Sequence, residues 1–349
     1  MTAGVVRVLV VDDSAFVRKI VKQMLSRSPF IDVVGAARDG AEALAMVADL
    51  KPDVVTLDLV MPVMDGVEFL KRQMAIRPLP VVICSISHES GAAALEALEA
   101  GAVDFVQKPT ALATDRIFEI ADELVSKVKA ASMVKMKANE AVVSPVIAPT
   151  PTRSAPRPAK AIQMVVIGIS TGGPQALRYM IPRFPVDFPA PIAIVLHMPV
   201  GYTEMYASRL NELSPLHVVE AKEGELVEAG KVFLAPAGRH MLFVRGADGQ
   251  VKVHLDVRPI DTPHRPAVDV LFKSASDAYG ERVLGVVMTG MGSDGLVGAA
   301  HIKARGGKIF TEAESSCTVY GMPRAVDEAM VSDRSITLQD MATSIMEMA

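Results

Sequence analysis

From about Met133 to Lys160 the chain keeps neither a helical nor a strand period, and that stretch limits the possible folds most. It carries Pro145, Pro149, Pro151, Pro156 and Pro158, has no Gly, and is otherwise largely small, polar and basic. Proline fixes φ and removes a backbone donor, so a stretch of this kind reads as an extended, semi-rigid connector. The chain is therefore expected to fold as two bodies, residues 1–130 and 161–349, joined by a linker over 131–160. No internal repeat relates the two halves.

Each half alternates strand and helix patterns. In the first, Val5–Val11, Ile31–Ala37, Val54–Leu57, Val81–Ser85 and Val103–Val106 read as strands, with helical periods between them. In the second, Val165–Ile169, Ile192–Leu196 and Val283–Met288 are continuous apolar runs suited to buried strands, and Met241–Arg245 and Val251–Leu255 flank an Asp248-Gly249 turn. Alternation of this kind predicts parallel sheets covered by helices on both faces. The expected class is α/β, two doubly wound parallel-sheet domains, the second with an antiparallel hairpin addition.

Composition excludes several functions. Half the residues are hydrophobic and 22% are charged, so the chain is not globally disordered. Lys and Arg number 36 against 40 Asp and Glu, which lacks the basic excess of a nucleic-acid binder. The longest uncharged runs, 161–177 and 188–203, contain Pro and Gly and fall short of the ~20 apolar residues a membrane span needs. Val8–Val11 runs straight into Asp12-Asp13, with no signal-peptide cleavage site. Two cysteines, Cys84 and Cys317, are too few for a disulfide framework. A cytoplasmic protein with free thiols is expected, without membrane insertion and without nucleic acid.

In open parallel sheets, ligands bind at the carboxyl ends of strands. Asp12 and Asp13 follow the first strand, Asp58 the third, Ser85 ends the fourth, and Lys108-Pro109 comes after the fifth. Asp12 or Asp13 alone could be a helix N-cap. Three carboxylates at one sheet edge instead call for a cation, and a hard ion such as Mg²⁺ suits them together with phosphate oxygens. Asp12-Asp13, Asp58, Ser85 and Lys108-Pro109 resemble a response-regulator receiver domain, over about residues 5–128. The resemblance implies phosphorylation of Asp58 by a chemotaxis sensor histidine kinase, with Asp12, Asp13 and Asp58 at the Mg²⁺ site. It also puts Ser85 and Phe105 at the switch positions, where Phe105 lacks the hydroxyl of the more usual Tyr.

In the second half, Gly168-Ile169-Ser170-Thr171-Gly172-Gly173 follows a buried strand and precedes a helix, and it contains Gly-x-Ser-x-Gly. That motif fits a nucleophile on a tight turn, an anion cradle, or a plain turn. His197 ends the next strand, so it emerges at the same edge as Ser170. The other histidines are less convincing: His88 lies in the first half, His217 and His254 in or near strands, and His240, His264 and His301 in loops or helices. Asp294 lies in the Gly-rich loop Thr289–Gly295 at another strand end, where it could orient a base or cap a helix. The chain order Ser, His, Asp departs from the Ser, Asp/Glu, His order of α/β-hydrolases.

Gly168–Pro174, His197-Met198-Pro199, Arg265-Pro266, Thr289–Gly295 and Tyr320–Pro323 look like the catalytic domain of the chemotaxis protein-glutamate methylesterases, over about residues 161–345. Receiver, linker and this domain in that order match the CheB family. The resemblance implies a Ser170–His197–Asp294 triad, with the Met291 N–H in the oxyanion hole and Thr171 close by. Thr289, Ser293 and Val319 differ slightly from the family pattern, none at a triad position. It further implies demethylation of glutamate methyl esters, and deamidation of glutamines, on methyl-accepting chemotaxis receptors, with no cofactor for ester hydrolysis. The receiver is expected to restrain this activity until Asp58 is phosphorylated. The rival readings are a nucleic-acid-binding regulator, a non-enzymatic adaptor retaining the fold, and a Cys317 nucleophile. A zinc hydrolase fits poorly, since no two His fall at i, i+4 on a helix.

Overall fold

The computed structural model describes residues 4–85, 91–108, 114–134, 136 and 161–349. His88, Pro109 and nearly all of the expected linker lie outside the described residues. The chain divides into two compact units, Met1–Val143 and Ser144–Ala349.

The first unit runs β1 (Val6–Val11), α1 (Ala15–Leu25), β2 (Ile31–Ala37), α2 (Gly40–Leu50), β3 (Val54–Leu57), α3 (Gly66–Ile76), β4 (Val81–Ser85), α4 (Gly91–Glu99), β5 (Asp104–Gln107) and α5 (Thr114–Ser132). Its sheet is parallel, in the order β2-β1-β3-β4-β5. Every residue of β3 and β4 is buried, which explains why they are mostly apolar with no alternation: a sheet covered on both faces has no polar side to alternate with. Helix starts follow from short side chains that accept from the first turn: Ser14 from the Val17 N–H, Asp39 from Glu42 and Asp65 from Glu68. Ser14, not Asp12 or Asp13, caps α1, so the capping alternative for the acidic pair lapses.

The second unit contains β6 (Met164–Ile169), α6 (Gly173–Met180), β7 (Ile192–Leu196), α7 (Thr203–Leu213), β8 (His217–Glu220), β9 (Lys231–Leu234), β10 (His240–Arg245), β11 (Val251–Asp256), α8 (Val268–Tyr279), β12 (Val283–Val287), α9 (Leu296–Ala304), β13 (Lys308–Glu312), α10 (Met322–Glu328), β14 (Arg334–Ile336) and α11 (Leu338–Met346). Seven strands form a parallel sheet in the order β14-β13-β12-β6-β7-β9-β8. β10 and β11 form the expected antiparallel hairpin, with Arg245 opposite Val251 at its turn. One face of that hairpin joins the core: Met241, Phe243, Val251 and Val253 cluster with Leu271 and Phe272 of α8. Both domains are therefore parallel α/β, the second with an antiparallel pair. Among the described residues no helix is long and apolar enough to cross a membrane.

Candidate active site and acidic pocket

The acidic pocket sits where the first sheet reverses its order. β1 has β2 on one side and β3 on the other, so the loops after β1 and β3 diverge and leave a crevice. Asp12 and Asp58 are buried there, while Asp13 is exposed. Oxygens of Asp12, Asp13 and Asp58 lie within 4.8 Å of one another, so the cluster could hold a metal ion. These are hard oxygen donors of the type a divalent cation prefers. Lys108 Nζ lies 2.7 Å from Asp12 Oδ2 and 2.7 Å from Asp58 Oδ2. Burial pushes the Asp58 carboxyl up; the Lys108 hydrogen bond and charge offset this only in part, and the group stays above its ordinary value. Burial acts on Lys108 in the opposite sense, but its two carboxylate partners prevail and raise its pKa.

Ser85 ends β4 and Phe105 is the second residue of β5, and both are buried. The Phe105 carbonyl accepts from Lys127 Nζ at 2.8 Å, and Asp104 and Glu123 hold the same ammonium at 3.1 and 2.9 Å. Arg18 was not singled out from the sequence. From α1 it donates to the carbonyls of Asp12 at 2.7 Å and Asp13 at 2.9 Å, and so braces the backbone that presents both carboxylates.

In the second sheet the switch point lies at β6, flanked by β7 and β12. Ser170 follows β6, His197 follows β7, and Asp294 lies in the loop after β12. Ile169 is in register with Leu196, so Ser170 and His197 are the next pair on adjacent strands. Parallel neighbours stand about 4.8 Å apart. Ser170 remains partly exposed. Its turn is tight: the Gly173 N–H donates to the Ser170 carbonyl at 2.7 Å, and Gly172 takes φ +79°. A Cβ on Gly172 would also meet the Thr318 side chain at 2.3 Å.

His197 Nε2 lies 2.9 Å from Asp294 Oδ2, both side chains nearly buried. Since a carboxylate accepts, Nε2 carries the proton in this pair, and Nδ1 keeps the lone pair. Asp294 does more than orient the imidazole. Its Oδ2 accepts from the Val268 N–H at 2.8 Å and its Oδ1 from the Asp269 N–H at 3.0 Å, so it caps α8, whose own N-cap Ala267 has no polar side chain. Asp269 returns the favour: its Oδ1 accepts from the N–H groups of Gly295 at 2.9 Å and Gly298 at 2.7 Å, at the start of α9. Burial pushes the Asp294 carboxyl up, but its hydrogen bonds and the His197 ring outweigh this and hold it below the ordinary value. Asp269, with burial dominant and Asp294 beside it, lies above.

Met291 stands exposed in the loop after β12, and its N–H donates to no acceptor among the described residues. The loop is held from below. Thr289 N–H donates to the fully buried Glu312 Oε2 at 3.0 Å, and Thr289 Oγ1 donates to the Thr171 carbonyl at 2.9 Å while accepting from the Val319 N–H at 2.9 Å. Thr171 is buried, and through its carbonyl it joins the Ser170 turn to this loop. Gly290 packs where a Cβ would come 2.7 Å from Ser170 Cβ.

One histidine departs from expectation, and a second makes a contact the sequence did not suggest. His240 is not in a loop or helix but opens β10, fully buried, with Nε2 3.0 Å from the Pro259 carbonyl and Nδ1 accepting from the Ala267 N–H at 3.1 Å. His264 lies in a loop as expected, yet its ring stacks on His197, centroids 4.1 Å apart. Cys317 is an unsuitable nucleophile: burial and the carboxylates around it push its thiol well above the usual range.

The CheB methylesterase family model matches residues 165–345, and the response regulator receiver domain model matches residues 8–121. A protein-glutamate methylesterase/protein-glutamine glutaminase of Myxococcus xanthus is 49% identical over 338 residues, covering 96% of each chain. Its counterpart in Bacillus subtilis is 40% identical, covering 97% of each. Among solved structures, the Thermotoga maritima CheB methylesterase catalytic domain is 39% identical, with a TM-score of 0.53, and covers 54% of this chain and 100% of that one.

Proposed function

The chain belongs to the CheB methylesterase family, with a response regulator receiver domain ahead of the catalytic domain, and from that premise we propose that Ser170, His197 and Asp294 carry out its hydrolysis. The chain is a phosphorylation-activated hydrolase that removes methyl groups from glutamate esters and deamidates glutamines on chemotaxis receptors. The observation that carries the site assignment is the His197–Asp294 hydrogen bond of 2.9 Å beside the Ser170 turn at the switch point.

Ser170 Oγ attacks the ester carbonyl of a methylated glutamate, and His197 takes the hydroxyl proton at Nδ1, the ring nitrogen turned away from Asp294. The Asp294 carboxylate stabilises the imidazolium that forms. The tetrahedral oxyanion lies against the Met291 N–H, on a loop that Thr289, Thr171 and Glu312 keep in place. Collapse breaks the C–O bond, and His197 gives its proton to the departing methoxide, releasing methanol. Water, deprotonated by His197, then attacks the acyl carbon, the bond to Ser170 Oγ breaks, and His197 returns the proton to that oxygen, leaving a free glutamate. A glutamine follows the same course with ammonia as leaving group.

Regulation rests on the first unit. Asp58 is the proposed phosphoryl acceptor, with a sensor histidine kinase as donor and methyl-accepting receptors as the substrate, all in the cytoplasm. Asp12, Asp13 and Asp58 would hold Mg²⁺, which when bound supplies charge neutralisation for phosphoryl transfer. Lys108 moves between carboxylate and phosphoryl oxygens, and the buried Ser85 of β4 and Phe105 of β5 read the change.

The test is methanol release from methylated receptor membranes. Ser170→Ala should remove nearly all activity while leaving the fold intact, because it deletes one partly exposed oxygen. Turnover near the wild-type rate from folded Ser170→Ala protein would overturn the assignment.

A further inference from the structure

His197 is fixed at one edge only. Nε2 is tied to Asp294, while Nδ1 is buried and has no hydrogen-bond partner among the described residues. A ring held at a single atom can still tilt about that bond, and tilting carries Nδ1 off the line to Ser170. A second imidazole restrains the plane of the ring. The His264 ring lies on the face of His197, with centroids 4.1 Å apart and planes within 24°. His264 is itself exposed, whereas the His197 side chain is only 9% exposed. One imidazole thus shields the other from water.

The segment that presents His264 is anchored at both ends. It runs between Asp256 and Val268, joining β11 to α8. At its start the Asp256 carboxylate accepts from the Arg258 N–H at 2.9 Å. Fully buried His240 then ties the two ends together, since its Nε2 donates to the Pro259 carbonyl and its Nδ1 accepts from the Ala267 N–H. Between them Arg265 Nη2 donates to the Ile260 carbonyl at 3.1 Å, and the Arg265 carbonyl accepts from the Gly238 N–H at 3.0 Å. At its end the Val268 N–H donates to Asp294, the carboxylate that also holds His197. The stacking ring and the ring it covers are therefore referenced to the same side chain. This is an expensive construction for a surface loop with no further duty.

We propose that His264 is a positioning residue: its ring is a platform that fixes the plane of the His197 imidazole, so that Nδ1 stays aimed at Ser170. The proposal rests on the reading of His197 as the base. It requires an aromatic ring at 264 and no proton chemistry there. An aromatic face also suits the imidazolium formed during proton transfer, because the ring's negative face attracts a cation. Angular errors at a catalytic group reduce turnover without weakening binding, and displacements near 1 Å cost on the order of 100-fold.

The experiment compares full-length wild type, His264→Ala, His264→Phe and His197→Ala, each phosphorylated with a small phosphodonor, by methanol release from methylated receptor membranes over a range of receptor concentration. Thermal melting checks that each is folded. His264→Ala should lower kcat on the order of 10–100-fold with KM within about twofold. His264→Phe should recover most of that loss, because it restores the stacking face without a titratable group. Wild-type kcat in His264→Ala, or His264→Phe no better than His264→Ala, would overturn the proposal. His197→Ala separates the two layers: if it keeps its activity, the base assignment falls, and if it alone is inactive, only the platform does.

Discussion

Replacing Asp294 with Asn keeps the shape of the side chain and removes one of its two acceptors. Three donors converge on the carboxylate: His197 Nε2 at 2.9 Å, the Val268 N–H at 2.8 Å and the Asp269 N–H at 3.0 Å. An asparagine can be placed in two ways. With its oxygen toward His197 and Val268, its NH₂ faces the Asp269 N–H, donor against donor. Flipped, its oxygen serves Asp269, and the NH₂ faces both the Val268 N–H and His197 Nε2. The histidine must then carry its proton on Nδ1, where it cannot accept from Ser170. Either way one nearly buried backbone donor is orphaned, at about 1–3 kcal/mol, and α8 loses part of its cap. For a unit of this size that lowers Tm by roughly 2–4 °C per kcal/mol. Both placements also remove the negative charge that stabilises the imidazolium, and the flipped one fixes the wrong tautomer. The same change in the well-studied Ser-His-Asp proteases costs about 10⁴ in kcat, so a loss on the order of 10³–10⁴ is expected. The pH dependence gives a second check. The folded Asp294 carboxyl titrates below its ordinary value. Its contribution to stability is therefore complete above the unfolded value near ~3.9 and is lost as pH falls through the folded value. The Tm gap between wild type and Asp294→Asn should thus be widest near neutrality and close in acid. Methanol release and melting at several pH values measure both effects. A variant within tenfold of wild-type kcat would refute the orienting role, and an unchanged Tm at neutral pH would refute the cap.

Other sites give further expectations. With Mg²⁺ and a small phosphodonor, one phosphoryl group should go onto Asp58 and hydrolysis should rise; Asp58→Asn should abolish both the incorporation and the rise, measured by mass and methanol release. Chelation should block that incorporation and leave basal hydrolysis running, and a chelator that stopped basal turnover would sink the metal-free triad. Glu312→Ala strips the acceptor from the buried Thr289 N–H and from Ser316 Oγ, so it should cost about 1–3 kcal/mol by calorimetry and lower kcat through the Met291 loop. Gly290→Ala should lower kcat at least about tenfold with phosphorylation of the first unit unaffected, because the new Cβ would lie 2.7 Å from Ser170 Cβ and push the nucleophile turn away.

How much of this was legible in the sequence depended on distance along the chain. Buried parallel strands write themselves as apolar runs, so β1, β3, β4, β6, β7 and β12 were readable, and with them the residues at their ends. Asp12, Asp58, Lys108, Ser170, His197 and Asp294 were found because strand ends in one sheet share an edge. β8, β9 and β14 are only three or four residues long and each opens on a charged residue or a histidine, with β8 and β14 at the sheet's edges; unlike the equally short but fully buried β3, such mixed runs carry too little pattern to register. Glu312 reads as a charge closing a strand, the usual mark of a chain reaching solvent, yet it is fully buried. Hydrogen bonds from the Thr289 N–H, more than twenty residues away, and from Ser316 Oγ justify its place.

The carboxylates at the helix starts show the limit most sharply. Asp294 had two local readings, cap of the helix that follows it or partner of a base. In the folded chain it caps α8, which lies earlier in sequence, while Asp269 of α8 caps α9. A cap read from spacing assumes that donor and acceptor are three residues apart. An exchange between two helices leaves no such spacing, because each acid serves the other's helix. The exchange has a chemical consequence. It forces α8 and α9 to start at one point and pins Asp294 from two backbone N–H groups before His197 takes its share of the carboxylate. The carboxylate that holds one edge of His197 is thereby placed by the packing of two helices, and the local sequence around Ser170 or His197 holds no trace of it.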